Sequence, residues 1–186
     1  MNDVIHLVPP RTKDRRVLSV LVENRHGVLS RASGMFAARG YNIDSLTVSP
    51  TEDPSMSRMT VCLGCDDNVI EQIRKQLAKM TEVIVIEDVT ERPHVERELV
   101  LLKVRLDPSN RSDLLNIAAI FKAKSVDMTP DTITFEIVGS ADKLSNFINM
   151  ILQDAEVVEL ARSGVVAVRR GSDGLRESFS SGVGSS

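Results

Sequence analysis

The chain of 186 residues contains no tryptophan, and aromatic side chains make up only 3% of it. Its core must therefore be built from aliphatic residues, and a hydrophobic content of 42% is sufficient for this. A formal net charge of −3 gives no basic excess, which argues against a nucleic-acid-binding protein. No apolar run reaches membrane-spanning length, and residues 1–16 lack the apolar segment of a secretory signal. We therefore expect a cytoplasmic protein without membrane association.

Residues that bind metals or catalyse reactions are also scarce. Cys62 and Cys65 form a C-x-x-C pair, but no second Cys pair and no nearby His pair accompanies it, so a zinc ion would lack ligands. The pair does not begin a helix, as a thioredoxin-like motif requires, and two reduced thiols are the simpler interpretation. The three histidines are His6, His26 and His94, too scattered to form a catalytic set. We predict no catalytic residues and no metal site.

The most informative stretch covers residues 24–50. It follows the apolar run of residues 17–22 and opens with Asn24-Arg25-His26-Gly27, a composition typical of a turn between a strand and a helix. Apolar residues then recur at helical spacing until Gly40, which ends the predicted helix. An extended segment beginning at Asn42 follows.

This turn has the properties of an anion site. The first amides of a helix have no partner within it, and the helix dipole adds partial positive charge there. Gly27 lets a ligand approach those amides closely because it has no Cβ. Asn24 adds a side-chain amide, and Asn42 could supply a second polar contact, from the same protomer or from a neighbouring one. A carboxylate is a plausible ligand, although such a turn can also simply cap a helix.

The order of elements predicts the fold. In residues 15–90, periodicity predicts strands at about 16–23, 42–49, 58–63 and 83–86, and helices at about 28–39 and 69–80, with Asp66 or Asp67 as the cap of the second helix. This is the βαββαβ order of a ferredoxin-like domain, with both helices on one face of an antiparallel sheet. The first and last strands are almost continuously apolar, which predicts that the other sheet face is also covered. A homodimer would cover it.

The same order recurs in residues 98–170. We therefore predict an α+β protein of two ferredoxin-like domains in tandem, joined by a charged linker at residues 91–97 that contains Pro93. Residues 1–14 are predicted to form a flexible arm. Residues 171–186 are mostly Gly and Ser and are predicted to be disordered.

Two long motifs carry a resemblance to a known family. NRHGVLSRASGMFAARGYNIDSLTV, followed by SPTEDPSMSRMTV, resembles the ACT domain of the regulatory (small) subunit of acetolactate synthase, also called acetohydroxyacid synthase. HVERELVLLKV and VVELARSGVVAVRRG are similar to the C-terminal domain of that family. The resemblance extends over about residues 15–171.

The resemblance implies a non-catalytic chain that has no cofactor of its own. Its partner would be a catalytic (large) subunit that uses thiamine diphosphate, Mg²⁺ and FAD. The small subunit would raise the activity of that enzyme and make it sensitive to branched-chain amino acids, usually valine. The family's effector pocket lies between the ACT domains of a homodimer, and the matching positions here are Asn24, His26, Gly27, Val28, Leu29, Asn42 and Ile43.

Two other functions remain open on the sequence alone. A free-standing ACT-domain sensor or transcriptional regulator would need another partner, and no helix-turn-helix pattern supports DNA binding. A small enzyme of ferredoxin-like fold would need a convergent set of titratable residues, which the sequence does not reveal.

Overall fold

The computed structural model describes residues 15–172 and 174–175. The described chain divides into two compact units, one formed by residues 15–96 with the C-terminal segment that starts at Val165, and the other by residues 97–164. The predicted arm at residues 1–14 and the predicted tail beyond residue 175 lie outside the described residues. No helix in the described ranges combines the length and the apolar character that crossing a membrane requires.

The first unit has the predicted βαββαβ order. Its elements are β1 (Arg15–Glu23), α1 (Val28–Ala38), β2 (Ser45–Pro50), β3 (Met56–Gly64), α2 (Asp67–Leu77) and β4 (Val83–Asp88). The strands form one antiparallel sheet in the order β2-β3-β1-β4. The ferredoxin-like arrangement predicted from the sequence is confirmed.

The core of this unit lies between the sheet and the two helices. Alternate residues of β1 point into it, because successive side chains of a strand point to opposite faces. They pack against the apolar residues of α1 and α2 in one cluster, whose buried members are Leu18, Val20, Val22, Val28, Ala32, Phe36, Met59, Val61, Leu63, Ile70, Ile73 and Leu77. The Asp66 side chain begins α2 by accepting a hydrogen bond of 2.9 Å from the Val69 amide.

The opposite face of the same sheet is covered in part by the chain itself. A second apolar cluster joins Val17 and Cys62 of the sheet to Val89, Val165 and Ala167. Val89 opens a 3₁₀ turn (Val89–Glu91), and Ala167 lies in the short strand β9 (Val166–Arg169). The prediction that this face is covered is confirmed, but the apolar pattern of β1 does not by itself require a homodimer.

The second unit repeats the βαββαβ order. Its elements are β5 (His94–Arg105), α3 (Arg111–Phe121), β6 (Lys124–Met128), β7 (Thr132–Gly139), α4 (Ala141–Asp154) and β8 (Val157–Arg162). The sheet order is β6-β7-β5-β8. Three phenylalanines make edge-on contacts in or beside the core, with ring centroids 5.5 Å apart for Phe121 and Phe147 and 5.9 Å apart for Phe135 and Phe147.

The predicted linker at residues 91–97 is largely structured. β5 begins at His94, so the last four residues of that stretch belong to a strand. The charges of the stretch suggested a solvated connection, but Glu96 is only 4% exposed because Arg15 pairs with it at 2.8 Å. Glu98, at the start of the predicted second domain, is similarly buried against Arg162 at 2.7 Å.

Other predicted boundaries differ from the structure as well, and α2 ends at Leu77 rather than near residue 80. β2 begins at Ser45 rather than at Asn42, because residues 42–44 form an irregular connection after α1. β9 was assigned with residues 98–170, but it packs in the first unit, where the Val165 carbonyl accepts a hydrogen bond of 2.9 Å from Thr47. Sequence order alone cannot reveal such a return of the chain.

Candidate functional site

The turn between β1 and α1 has an exposed and uncapped helix start. Gly27 is the N-cap residue of α1, with φ 84° and ψ −8°, a left-handed conformation that glycine adopts without strain. No side chain caps the helix. The amides of the first helical turn therefore point outward without a capping side chain, and the helix dipole favours an anion in front of them.

Hydrogen bonds fix this turn to the two neighbouring loops. The Glu23 amide donates to the Glu82 carbonyl at 2.8 Å, and the Asn24 amide donates to the Ser55 carbonyl at 2.7 Å. The side chain of Asn24 donates through Nδ2 to the Pro54 carbonyl at 2.9 Å. Asn24 thus connects the turn to the β2–β3 loop, and its Oδ1 is the group that it can offer to a ligand ammonium.

Arg31 is a member of this site that the sequence analysis missed. Its Nη1 lies 3.3 Å from the position that a Cβ would occupy on Gly27, so the guanidinium stands beside the glycine. Its Nη2 pairs with Glu82, whose side chain is 17% exposed. The sequence signal for Arg31 was its position four residues after Gly27. Side chains of a helix lean towards its N-terminus, so Arg31 reaches back to the glycine. Arg31 adds a full positive charge to the partial charge of the helix end.

The other predicted residues of the turn divide into two groups. Val28 is 3% exposed and packs in the core, and its amide donates to the Arg25 carbonyl at 3.4 Å, so the amides of the residues after it are the ones open to a ligand. Leu29 is 46% exposed and can contact an aliphatic ligand group. His26 is exposed and has no assigned role.

The structure places Asn42 and Ile43 far from the turn of the same chain. β1 pairs with β3 so that Glu23 faces Met56, at the sheet end where the turn begins. The start of β2 faces Cys62 at the other end. Six residues of β1 separate the two ends, roughly 20 Å at about 3.3 Å per residue. Of the two possibilities left open for Asn42, a contact within one protomer is therefore excluded.

The remaining reactive side chains of the described residues include two cysteines and a neighbouring arginine. Cys62 and Cys65 are not joined in a disulfide, and Cys62 is 2% exposed, with burial raising the pKa of its thiol. Arg15 Nη2 lies 3.7 Å from the sulfur of Cys62. Within residues 15–172 and 174–175, no group of three or more His, Cys, Asp or Glu side chains could hold a metal ion. The candidate site is therefore the turn at Gly27.

Two family models match the two halves of the chain. Residues 18–85 match a model described as an AHAS small subunit-like ACT domain, and residues 97–171 match a model described as the small subunit of acetolactate synthase. Together they span most of the described residues.

Individual relatives match over nearly their whole length. The chain is 44% identical over 162 residues to the acetolactate synthase isozyme 3 small subunit of Salmonella typhimurium, covering 87% of this chain and 99% of that protein. It is 45% identical over 157 residues to the probable acetolactate synthase small subunit of Archaeoglobus fulgidus, covering 84% and 98%. The crystal structure of the acetolactate synthase small subunit from Thermotoga maritima superposes with a TM-score of 0.76 at 37% identity, covering 86% of this chain and 99% of that one.

Proposed function

Because the chain belongs to the family of acetolactate synthase small subunits, we propose that it activates a catalytic acetolactate synthase subunit and makes it sensitive to feedback by valine. As a small subunit it is the non-catalytic member of its complex, and its partner is the catalytic subunit. Its place is in the biosynthesis of branched-chain amino acids. The thiamine diphosphate, Mg²⁺ and FAD that we expect in the complex belong to the catalytic chain. The cytoplasmic location remains a prediction from the sequence.

The observation that carries the proposal is the uncapped turn at Gly27 in a chain whose match covers 99% of the length of a small subunit. An α-amino acid presents a carboxylate, and the turn offers helix amides together with the Arg31 guanidinium. The ammonium would meet Asn24 Oδ1. The aliphatic tail would lie against Leu29, whose side chain is exposed.

The proposed pocket needs two copies of the chain. Asn42 and Ile43 lie at the opposite end of the sheet from Gly27, so they can complete the pocket only from a second protomer. Two-fold symmetry would then form two equal pockets, because each copy gives its turn to one and its Asn42 to the other. We propose a homodimer through the N-terminal domains on this ground.

The hydrogen bonds of Asn24 offer a connection from the pocket to the β2–β3 loop. An effector can change activity only if it binds one arrangement of the complex better than another, typically by ~1–3 kcal/mol. The loop at residues 51–58 is held against the turn through Ser55 and Pro54. We propose that this loop and the C-terminal domain contact the catalytic subunit.

Replacement of Gly27 by Asp tests the proposal. The new carboxylate would stand beside the helix amides and repel the carboxylate of the effector, and it would also engage Arg31. We expect Gly27→Asp to abolish valine inhibition and to leave activation of the catalytic subunit largely intact. The measurement is acetolactate formation from pyruvate by the catalytic subunit, with and without this chain and valine.

Gly34→Asp is the matched control. It adds the same charge to an exposed position of the same helix, where a Cβ meets nothing within 4 Å. The control should keep its valine inhibition. Persistent valine inhibition in Gly27→Asp would contradict the pocket, and a failure of the wild-type chain to bind or activate the catalytic subunit would favour a free-standing sensor.

A further inference from the structure

A polar cavity of about 220 Å³ lies on the sheet face opposite to α1 and α2. Its floor is formed by side chains of the sheet, namely Ser19, Arg58 and Glu87. The C-terminal segment covers it, and the lining residues of that segment are Ala167, Val168, Arg169, Gly171, Ser172, Gly174 and Leu175. Every lining residue belongs to the first unit.

Two polar atoms on the cavity floor are buried without a hydrogen-bond partner. Ser19 is 1% exposed, and its Oγ has none; the same holds for Oε2 of Glu87. The two residues face each other across β1 and β4, where opposed Cβ atoms are about 5 Å apart. Unpaired buried polar atoms are costly in a folded protein, so a group that bonds to both would stabilise this one.

The charges around the cavity are arranged for a ligand that carries both signs. Oε1 of Glu87 pairs with Arg169 at 3.1 Å and with Arg92 at 3.7 Å, whereas Oε2 has no hydrogen-bond partner. Arg58 donates through Nη1 to the Ala167 carbonyl at 3.3 Å, and its second terminal nitrogen, Nη2, is a further donor for an anion. The cavity therefore combines a carboxylate acceptor, a hydroxyl and a guanidinium donor.

The volume of the cavity and its apolar walls favour a small organic ligand over a single water molecule. One water needs only about 10–15 Å³ of such a cavity, so a water bridging Ser19 and Glu87 would leave most of the volume empty. Val89 and Leu175 supply buried apolar surface beside the polar floor. Small-molecule sites typically combine apolar walls with a few placed polar groups.

We propose that this cavity binds a small zwitterionic α-amino acid, at a site separate from the turn at Gly27. The ammonium donates to Glu87 Oε2 and Ser19 Oγ, and the carboxylate accepts from Arg58. The ligand contacts both the sheet and the C-terminal segment, so its binding fastens that segment to the sheet. This site does not depend on the proposed function of the turn.

The test uses the full chain carrying Gly27→Asp, so that the proposed effector pocket cannot contribute. Isothermal titration calorimetry with glycine, L-alanine, L-serine and L-threonine as probes should detect binding of at least one of them below about 10 mM. Adding Ser19→Ala should weaken that binding about tenfold, because one hydrogen bond to the ammonium is lost. Glu87→Gln should weaken it further because the charge is removed.

Thermal unfolding separates this role from a merely structural one. Ser19→Ala removes a hydroxyl without a partner, so without ligand its Tm should equal or exceed that of the parent chain. Ser49→Ala is the control, since Ser49 is exposed on β2 and lies outside the cavity. It should change neither the affinity for the probe nor the Tm. If Glu87→Gln does not fold, the probe affinity and the Tm of Ser19→Ala decide the test. No heat with any probe, unchanged affinity in Ser19→Ala, or a lower Tm of that variant without ligand would overturn the proposal.

Discussion

Arg31 is the residue whose importance depends most on the three-dimensional structure. In the sequence it is a charged residue on the polar side of an amphipathic helix. In the fold its guanidinium stands beside Gly27 and pairs with Glu82. A ligand carboxylate at the turn would therefore meet a side chain that already has a partner, and could share that guanidinium or displace Glu82 from it.

We predict that Arg31→Gln weakens valine binding about tenfold or more, because a hydrogen bond to a charged group contributes about 1.5–3 kcal/mol. Calorimetric titration of the chain with valine measures it. Arg39→Gln is the control, because Arg39 lies at the other end of the same helix and bonds to Gln76 at 2.9 Å. Equal affinities of the two variants would remove Arg31 from the site.

The turn at Gly27 could be predicted from the sequence, whereas the burial of two glutamates could not. The composition of residues 24–27 was enough to predict a turn between a strand and a helix, and the structure adds that Gly27 has a left-handed conformation there. Burial of Glu96 and Glu98 could not be predicted, because their partners Arg15 and Arg162 are far away along the chain. From the sequence alone a glutamate is expected to be exposed to solvent, because its ion-pair partner is not known.

At the scale of elements, the helices follow their sequence signals closely. α2 begins after Asp66, whose Oδ1 accepts a hydrogen bond from the Val69 amide, and the apolar face of the helix repeats at the predicted spacing. The strands were harder to delimit. β2 was predicted to begin three residues too early, because the connection after α1 contains the apolar residue Ile43, which packs against the core without being in a strand.

Asp66→Ala should destabilise the first unit by about 1 kcal/mol, the usual value of an N-cap side chain. Urea unfolding followed by circular dichroism measures the change. Asn68→Ala, at an exposed position inside the first turn of the same helix, is the control and should lie within about 0.5 kcal/mol of the wild type. A loss no larger in Asp66→Ala than in the control would contradict the assigned cap.

At the scale of the whole molecule, the return of the C-terminal segment to the first unit is the main feature that the sequence did not predict. The apolar pattern of β1 showed that something covers the outer sheet face. It could not say what, since a neighbouring copy and a distant part of the same chain satisfy it equally. Val165 and Ala167 provide this cover at Val17 and Cys62.

Ala167→Asp tests this cover through the reactivity of Cys62. In the wild-type chain a thiol reagent should modify Cys65 first, because Cys62 is 2% exposed and burial raises the pKa of its thiol, which keeps it protonated. A carboxylate among these apolar side chains should loosen β9 and accelerate the labelling of Cys62 about tenfold or more.

Val168→Asp is the control for that experiment, because Val168 is the next residue of β9 and is 53% exposed. Labelling of Cys62 followed by peptide mass spectrometry gives the rates. Similar rates in both variants would show that β9 does not protect this face.

The central claim is that two copies of the chain share each effector pocket, with the turn at Gly27 from one and Asn42 from the other. Mixing two defective variants tests it most directly. Gly27→Asp and Asn42→Ala should each bind no valine in the shared pocket, and in a mixed dimer one pocket regains both wild-type parts. Calorimetric titration of an equimolar, re-equilibrated mixture should then reveal about a quarter of the wild-type number of sites. The account would be contradicted by a mixture that binds no more valine than its two components, or by full valine binding in Asn42→Ala alone.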